Sequence, residues 1–197
     1  MTNAVTLAIS ELGSLITKAA RGAGLSWGMA EEAGWAAEWL ARRGMPAAEW
    51  AAVWLAARID GAICPVEIGA YLADEFASTP PITGRAVPDG LVAPGYLLPF
   101  LHRIALAGSP VVVTTTSGEV ARVSPGGGVE FGPFWQFHSH GWRLSRASDA
   151  GPRPGIADRP TVSGSVLECL EVLALRTTVP QSEASRRDAG SSGGDND

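Results

Sequence analysis

The chain has 197 residues, a net charge of −5 and 46% hydrophobic residues, enough for one domain with a real hydrophobic core. No basic block is present, which argues against nucleic acid as the main partner, and no apolar run approaches the roughly 20 residues of a membrane span. Cys64 and Cys169 lie far apart and match no metal spacing, and no charged segment leads into an apolar run at the start, so a soluble protein of a reducing cytoplasm is expected.

Residues 5–20 carry Leu7, Ile9, Leu12, Leu15 and Ile16 near helical spacing and predict a first helix. Gly22 and Gly24 break it, and Ser26 is a fitting N-cap for a second helix over 27–43. Gly44 and Pro46 end that helix and start a third, over 46–59. Trp35 and Trp39, like Trp50 and Trp54, are four apart, so each pair shares a helix face. The second and third helices are therefore expected as an antiparallel hairpin with a tryptophan-rich seam; an aromatic cage for a cation is the alternative.

A short helix over 66–76 follows Cys64-Pro65, and 79–94 reads as an irregular connection. Residues 95–107 predict a fourth major helix. The period then changes: VVVTTT at 111–116, EVARV, 129–137 and 141–146 predict a small antiparallel sheet or meander. A connection over 148–160 leads to a last helix over 163–174 and a polar tail. The order predicts an α+β fold in one domain over 1–197. Its helical part covers about 1–107, its β-rich part about 108–147, and its C-terminal helix and tail about 160–197.

Loop glycines before a helix let a ligand approach backbone N–H groups, and KAARGAGLSWGMAEEAG at 18–34 has that form. It is neither a Walker loop nor a GxGxxG turn after a strand. Glu31 and Glu32 are expected in the first turns of the second helix, where they would already offset its positive end. Lys18 is the sole lysine beside fourteen arginines, which reads as codon preference. His138 and His140 alternate on one strand face and would begin a metal site, but no third ligand is identifiable. Cys169 reads as a buried helix residue. Cys64 precedes a proline, where exposure is the alternative, but it has no identifiable base, and a structural role is expected for both cysteines.

Two stretches together resemble a bacterial family of unknown function, DUF3726: ARGAGLSWGMAEEAG near the start and LALRTTVPQSEASRRDAGSSGGDND at the end, with Cys64-Pro65 between. The resemblance spans nearly the whole chain, and its motif residues are Arg21, Gly22, Gly24, Trp27, Gly28, Glu31, Glu32 and Gly34 at one end. At the other they are Arg176, Pro180, Glu183, Ser185, Arg186, Asp195, Asn196 and Asp197. Where the family carries a Gly-Ala-Gly run after Ser-Arg, this chain has RDAGSSGGDND. The resemblance implies no reaction, catalytic residue or cofactor.

It does imply that the two ends meet, with Arg21 or Arg186 paired to Glu31 or Glu183. The expected ligand-binding set is Arg21, Gly22, Gly24, Trp27, Gly28, Glu183, Ser185 and Arg186. The leading expectation is an accessory protein of bacterial metabolism that binds a small anionic or carboxylate metabolite. A small enzyme is the second, with Glu31 or Glu32 as general base and an arginine anchoring the substrate. A subunit of a larger complex or a homo-oligomer is the third.

Overall fold

The computed structural model describes residues 4–78, 82–133, 135, 138–155 and 157–177. Among them are six α-helices and two antiparallel sheets, in the α+β order expected. None of the helices is long and apolar enough to cross a membrane.

The chain opens with a strand, β1 (Ala4–Thr6), where the first helix was expected to begin. Its partner is β7 (Thr161–Ser163), a strand that sequence reasoning missed, with Val5 opposite Val162. Helix α1 (Ile9–Gly22) follows β1, and helix α6 (Gly164–Leu175) follows β7. Glu11 starts α1 by accepting the Ala8 N–H at 2.7 Å, and Ser163 caps α6 by accepting from the Val166 N–H at 3.4 Å. Both helices leave the same two-stranded sheet and run side by side until their last turns meet. There a Cβ built on Gly22 would lie 2.7 Å from the Leu173 carbonyl carbon, closer than real Cβ contacts come.

Helix α2 (Trp27–Ala41) crosses α1 at a second pair of small residues. A Cβ on Gly34 would come within 2.8 Å of the Gly13 carbonyl oxygen, so glycine lets the two backbones approach. Helices α3 (Ala47–Ile59) and α4 (Pro65–Ser78) complete the N-terminal half. A 3₁₀ turn (Pro94–Leu97) then leads into α5 (Leu98–Ala105), so the expected 95–107 helix is split and ends early.

Trp39, Trp50 and Trp54 pack in the core and Trp35 against it, but not along an α2–α3 seam. They face α5 and the turn before it. Trp35 meets Phe100 edge-on at 5.5 Å and Trp54 meets Tyr96 at 5.4 Å. A Cβ on Gly95 would collide with the Trp50 ring. Spacing of four fixed which side chains share a face; it carried no information on which element that face meets.

The five-stranded sheet has the order β2 (Arg85–Ala86), β6 (Arg143–Arg146), β3 (Val111–Thr115), β4 (Gly118–Val123) and β5 (Val129–Phe131). Strand β2 lies in the stretch expected to be irregular. Strand β5 stops well before residue 137. A Cβ on Gly132 would lie 2.9 Å from the Glu119 carbonyl carbon, and Pro133 follows with no N–H to donate. One contiguous set of buried apolar side chains runs from Leu12 and Leu40 through Trp54 and Phe100 to Val113, Leu144 and Leu173. Helices and sheet are thus built on a shared core.

Candidate functional site

The bend between α1 and α2 is organised by Arg21. Its guanidinium donates to the Leu25 carbonyl and lies 4.6 Å from the Trp27 ring centre. Its Nε is buried and has no hydrogen-bond partner. Gly24 holds φ at +89°, a left-handed conformation that glycine adopts without steric cost. Ser26 caps α2 as expected, accepting from the Met29 N–H at 3.3 Å.

Because α6 ends against Gly22, a cleft of about 700 Å³ opens between α1, the start of α2 and the end of α6. Ser14, Thr17, Lys18, Arg21, Trp27, Arg176 and Thr177 line it. Lys18 and Arg176 are exposed, and Trp27 is 66% exposed. Lys18, Arg21 and Arg176 form no ion pair among the described residues. The Thr17 and Thr177 hydroxyls are committed to the Gly13 and Ala174 carbonyls at 3.0 and 2.7 Å. Recognition therefore falls to three cations, the Ser14 hydroxyl and the indole face.

Two helices end at this cleft, and each contributes roughly half a negative charge there. Three full positive charges exceed that by about two units, so the cleft remains electropositive. It can hold a carboxylate or phosphate by charge and hydrogen bonds.

Of the expected ligand-binding residues, Arg21 and Trp27 line the cleft. Gly22 is a helix-packing contact and Gly24 a turn residue, while a Cβ on Gly28 would meet nothing within 4 Å. Pro180, Glu183, Ser185, Arg186 and the terminal Asp195, Asn196 and Asp197 lie outside the described residues. The described ends of the two motifs do come together, at Gly22, Leu173 and Arg176.

Glu31 and Glu32 do not line this cleft. They fall in the second turn of α2, which starts at Trp27 as expected, and its first turn holds no acidic side chain, so they do not offset its positive end. Glu31 is exposed. Glu32 pairs with Arg103 at 2.7 Å, and the Arg103 guanidinium lies 3.7 Å from the Trp35 ring centre.

His138 is exposed and forms a bridge with Val92, and His140 is exposed with its Nδ1 3.4 Å from Asp89. Among the described residues no group of three His, Cys, Asp or Glu side chains is placed to hold a metal. Cys64 is buried, as a structural role requires, and burial pushes its thiol pKa up, away from a reactive thiolate.

A second polar cluster was not singled out from the sequence. His102 Nδ1 accepts from Trp39 Nε1 at 3.0 Å, which leaves Nε2 to donate to the Pro125 carbonyl at 3.0 Å. Arg43 donates to the Gly127 carbonyl at 2.5 Å and to the Trp39 carbonyl at 2.9 Å, and stacks 3.6 Å from the Trp39 ring centre. Burial lowers the pKa of both His102 and Arg43. The cluster ties the β4–β5 turn to α2 and α5. The signal was PGGG: a Cβ on Gly127 would lie 3.3 Å from His102 Nε2, so the turn must be small.

Neither the curated proteins nor the solved structures include one that matches this chain. Residues 7–62, which run from just before α1 to just past α3, match a family described as a protein of unknown function, DUF3726. That match contains the whole ARGAG…AEEAG signature, so the N-terminal helical segment of this chain is similar to the DUF3726 family over those residues.

Proposed function

We propose that the protein is an accessory, non-catalytic binder of a small anion, a carboxylate or phosphate metabolite, held in the cleft between α1, α2 and α6. The observation that carries this reading is the grouping of Lys18, Arg21 and Arg176 around one cleft with no acidic partner among the described residues. The Trp27 face would pack against the apolar part of the ligand. Cys64 and Cys169 are free thiols, which supports a reducing bacterial cytoplasm as the setting.

The test is a thermal-shift and calorimetric screen with inorganic phosphate, sulfate and small carboxylates on the full chain. A ligand that prefers the folded state raises the melting temperature by mass action. Lys18→Gln changes an exposed side chain, so its unliganded melting temperature should hardly move, and the anion affinity of Lys18→Gln and of Arg176→Gln is read against each variant's own unliganded protein. Each should weaken anion binding by roughly tenfold, the loss of one charge-assisted contact worth about 1.5 kcal/mol. Anion affinity untouched by both variants would sink the proposal.

A further inference from the structure

Helix α6, GSVLECLEVLAL, is apolar around most of its circumference, yet only Leu170 and Leu173 are buried. A helix apolar on all sides is ordinarily enclosed. Here Val172 is 53% exposed and Leu175 65% exposed. Beside them, Ala56 and Ile59 of α3 form the other wall of an apolar groove of about 450 Å³ that Cys169 and Val172 also line. Val53, three residues before Ala56, extends the same face of α3 and is itself exposed.

The charges on this face are arranged about its centre. Glu168 lies four residues before Val172 and Arg176 four residues after it, about 6 Å along the axis in each direction. At about 100° per residue, they fall to either side of the Val172 direction by equal angles. Cys169 and Leu175, three residues before and after, are likewise symmetric. Both charged side chains border the groove.

From this symmetry we infer that α6 is a homodimer contact, in which a second copy packs its α6 antiparallel to the first about a twofold axis at Val172. That arrangement sets Val172 against its own copy and Cys169 against Leu175. It also sets each Glu168 against the other chain's Arg176, so one patch complements itself, as a twofold interface requires. Parallel packing would oppose Glu168 to Glu168 and Arg176 to Arg176, which the like charges disfavour. The chain's own residues 178–197 suit the groove poorly. Their apolar side chains are Val179, Pro180 and two alanines in an otherwise polar stretch.

The experiment is sedimentation equilibrium on the full chain, with circular dichroism to check that each variant folds. The wild type is expected at a mass of two chains. Glu168→Arg and Arg176→Glu should each weaken the dimer at least tenfold. The double variant, Glu168→Arg with Arg176→Glu, should restore it. Mixing the two single variants should give a heterodimer, since one chain then brings two arginines to the contact and the other two glutamates. A monomeric wild type would overturn the inference, and would leave residues 178–197 or another protein as the occupant of the groove. A dimer indifferent to Glu168→Arg would overturn it too, by placing the interface elsewhere. So would folded single variants that neither the double change nor mixing rescues.

Discussion

Gly22→Ala tests the packing role of the glycines in the ARGAG…AEEAG signature. The new Cβ would lie 2.7 Å from the Leu173 carbonyl carbon and closer still to its oxygen. Both are backbone atoms, so no side-chain rotation relieves the clash; α6 must move away from α1. Overpacking of this kind costs about 1–3 kcal/mol. Alanine returns about 0.5–1 kcal/mol, because glycine is the poorer helix former. A clash this close with backbone belongs to the upper part of the overpacking range, about 2–3 kcal/mol, so the net loss is about 1–2.5 kcal/mol, which for a chain of this size lowers the melting temperature by roughly 2–10 °C. Urea unfolding should show a lower midpoint with an unchanged slope. The control is Gly28→Ala, where a Cβ meets nothing within 4 Å and stability should hold or rise by up to about 1 kcal/mol. Since Arg176 travels with the end of α6, Gly22→Ala should also weaken anion binding while removing no ligand group. A Gly22→Ala protein as stable as the wild type would refute the close approach of α1 and α6.

Two further predictions test the other polar groups. Burial holds the His102 pKa below its ordinary value of about 6.5, so the unfolded chain takes up the proton first as pH falls. The stability tied to neutral His102 is complete above about pH 6.5 and is lost as pH drops toward the depressed folded value; urea midpoints between pH 7.5 and 5.5 should fall less steeply in His102→Gln, and equal slopes would refute the cause. Glu32→Gln should cost only about 0.5 kcal/mol, because its pair with Arg103 is partly exposed, and should leave phosphate affinity unchanged in calorimetry; a marked loss of affinity would restore the glutamate to the site.

The helices were legible because each carries its own signals. Ser26 before Trp27 and Gly44 before Pro46 set α2 and α3 to within a few residues of where they lie. Strands β1 and β7 were not legible, since three residues have too few positions for a period and exist as strands only through pairing across the chain. The site was half legible. Arg21 and Trp27 stand out in the first motif, but Lys18, although the sole lysine, reads from the sequence only as codon preference. Arg176 carries a motif position at the far end of the chain, and only the docking of α6 on Gly22 brings it to the cleft. The glycines of the ARGAG…AEEAG signature proved to be two kinds of residue under one pattern. Gly22 and Gly34 let helices approach, while Gly24 turns the chain.

Arg176 belongs to both readings of the molecule, since it lines the cationic cleft and borders the apolar groove. One guanidinium cannot direct its donors into the cleft and toward Glu168 of a second chain at full strength in the same rotamer. Anion binding and dimerisation are then linked through this side chain. Whatever factor the anion takes from the dimer's affinity, the dimer takes from the anion's, as thermodynamic reciprocity demands. The coupling is bounded by what a single exposed charge contributes, about 1 kcal/mol or less at a solvent-facing pair. That is enough to bias an equilibrium a few-fold and too little to make it all-or-none. An accessory protein built this way would report metabolite level as a graded shift between one chain and two.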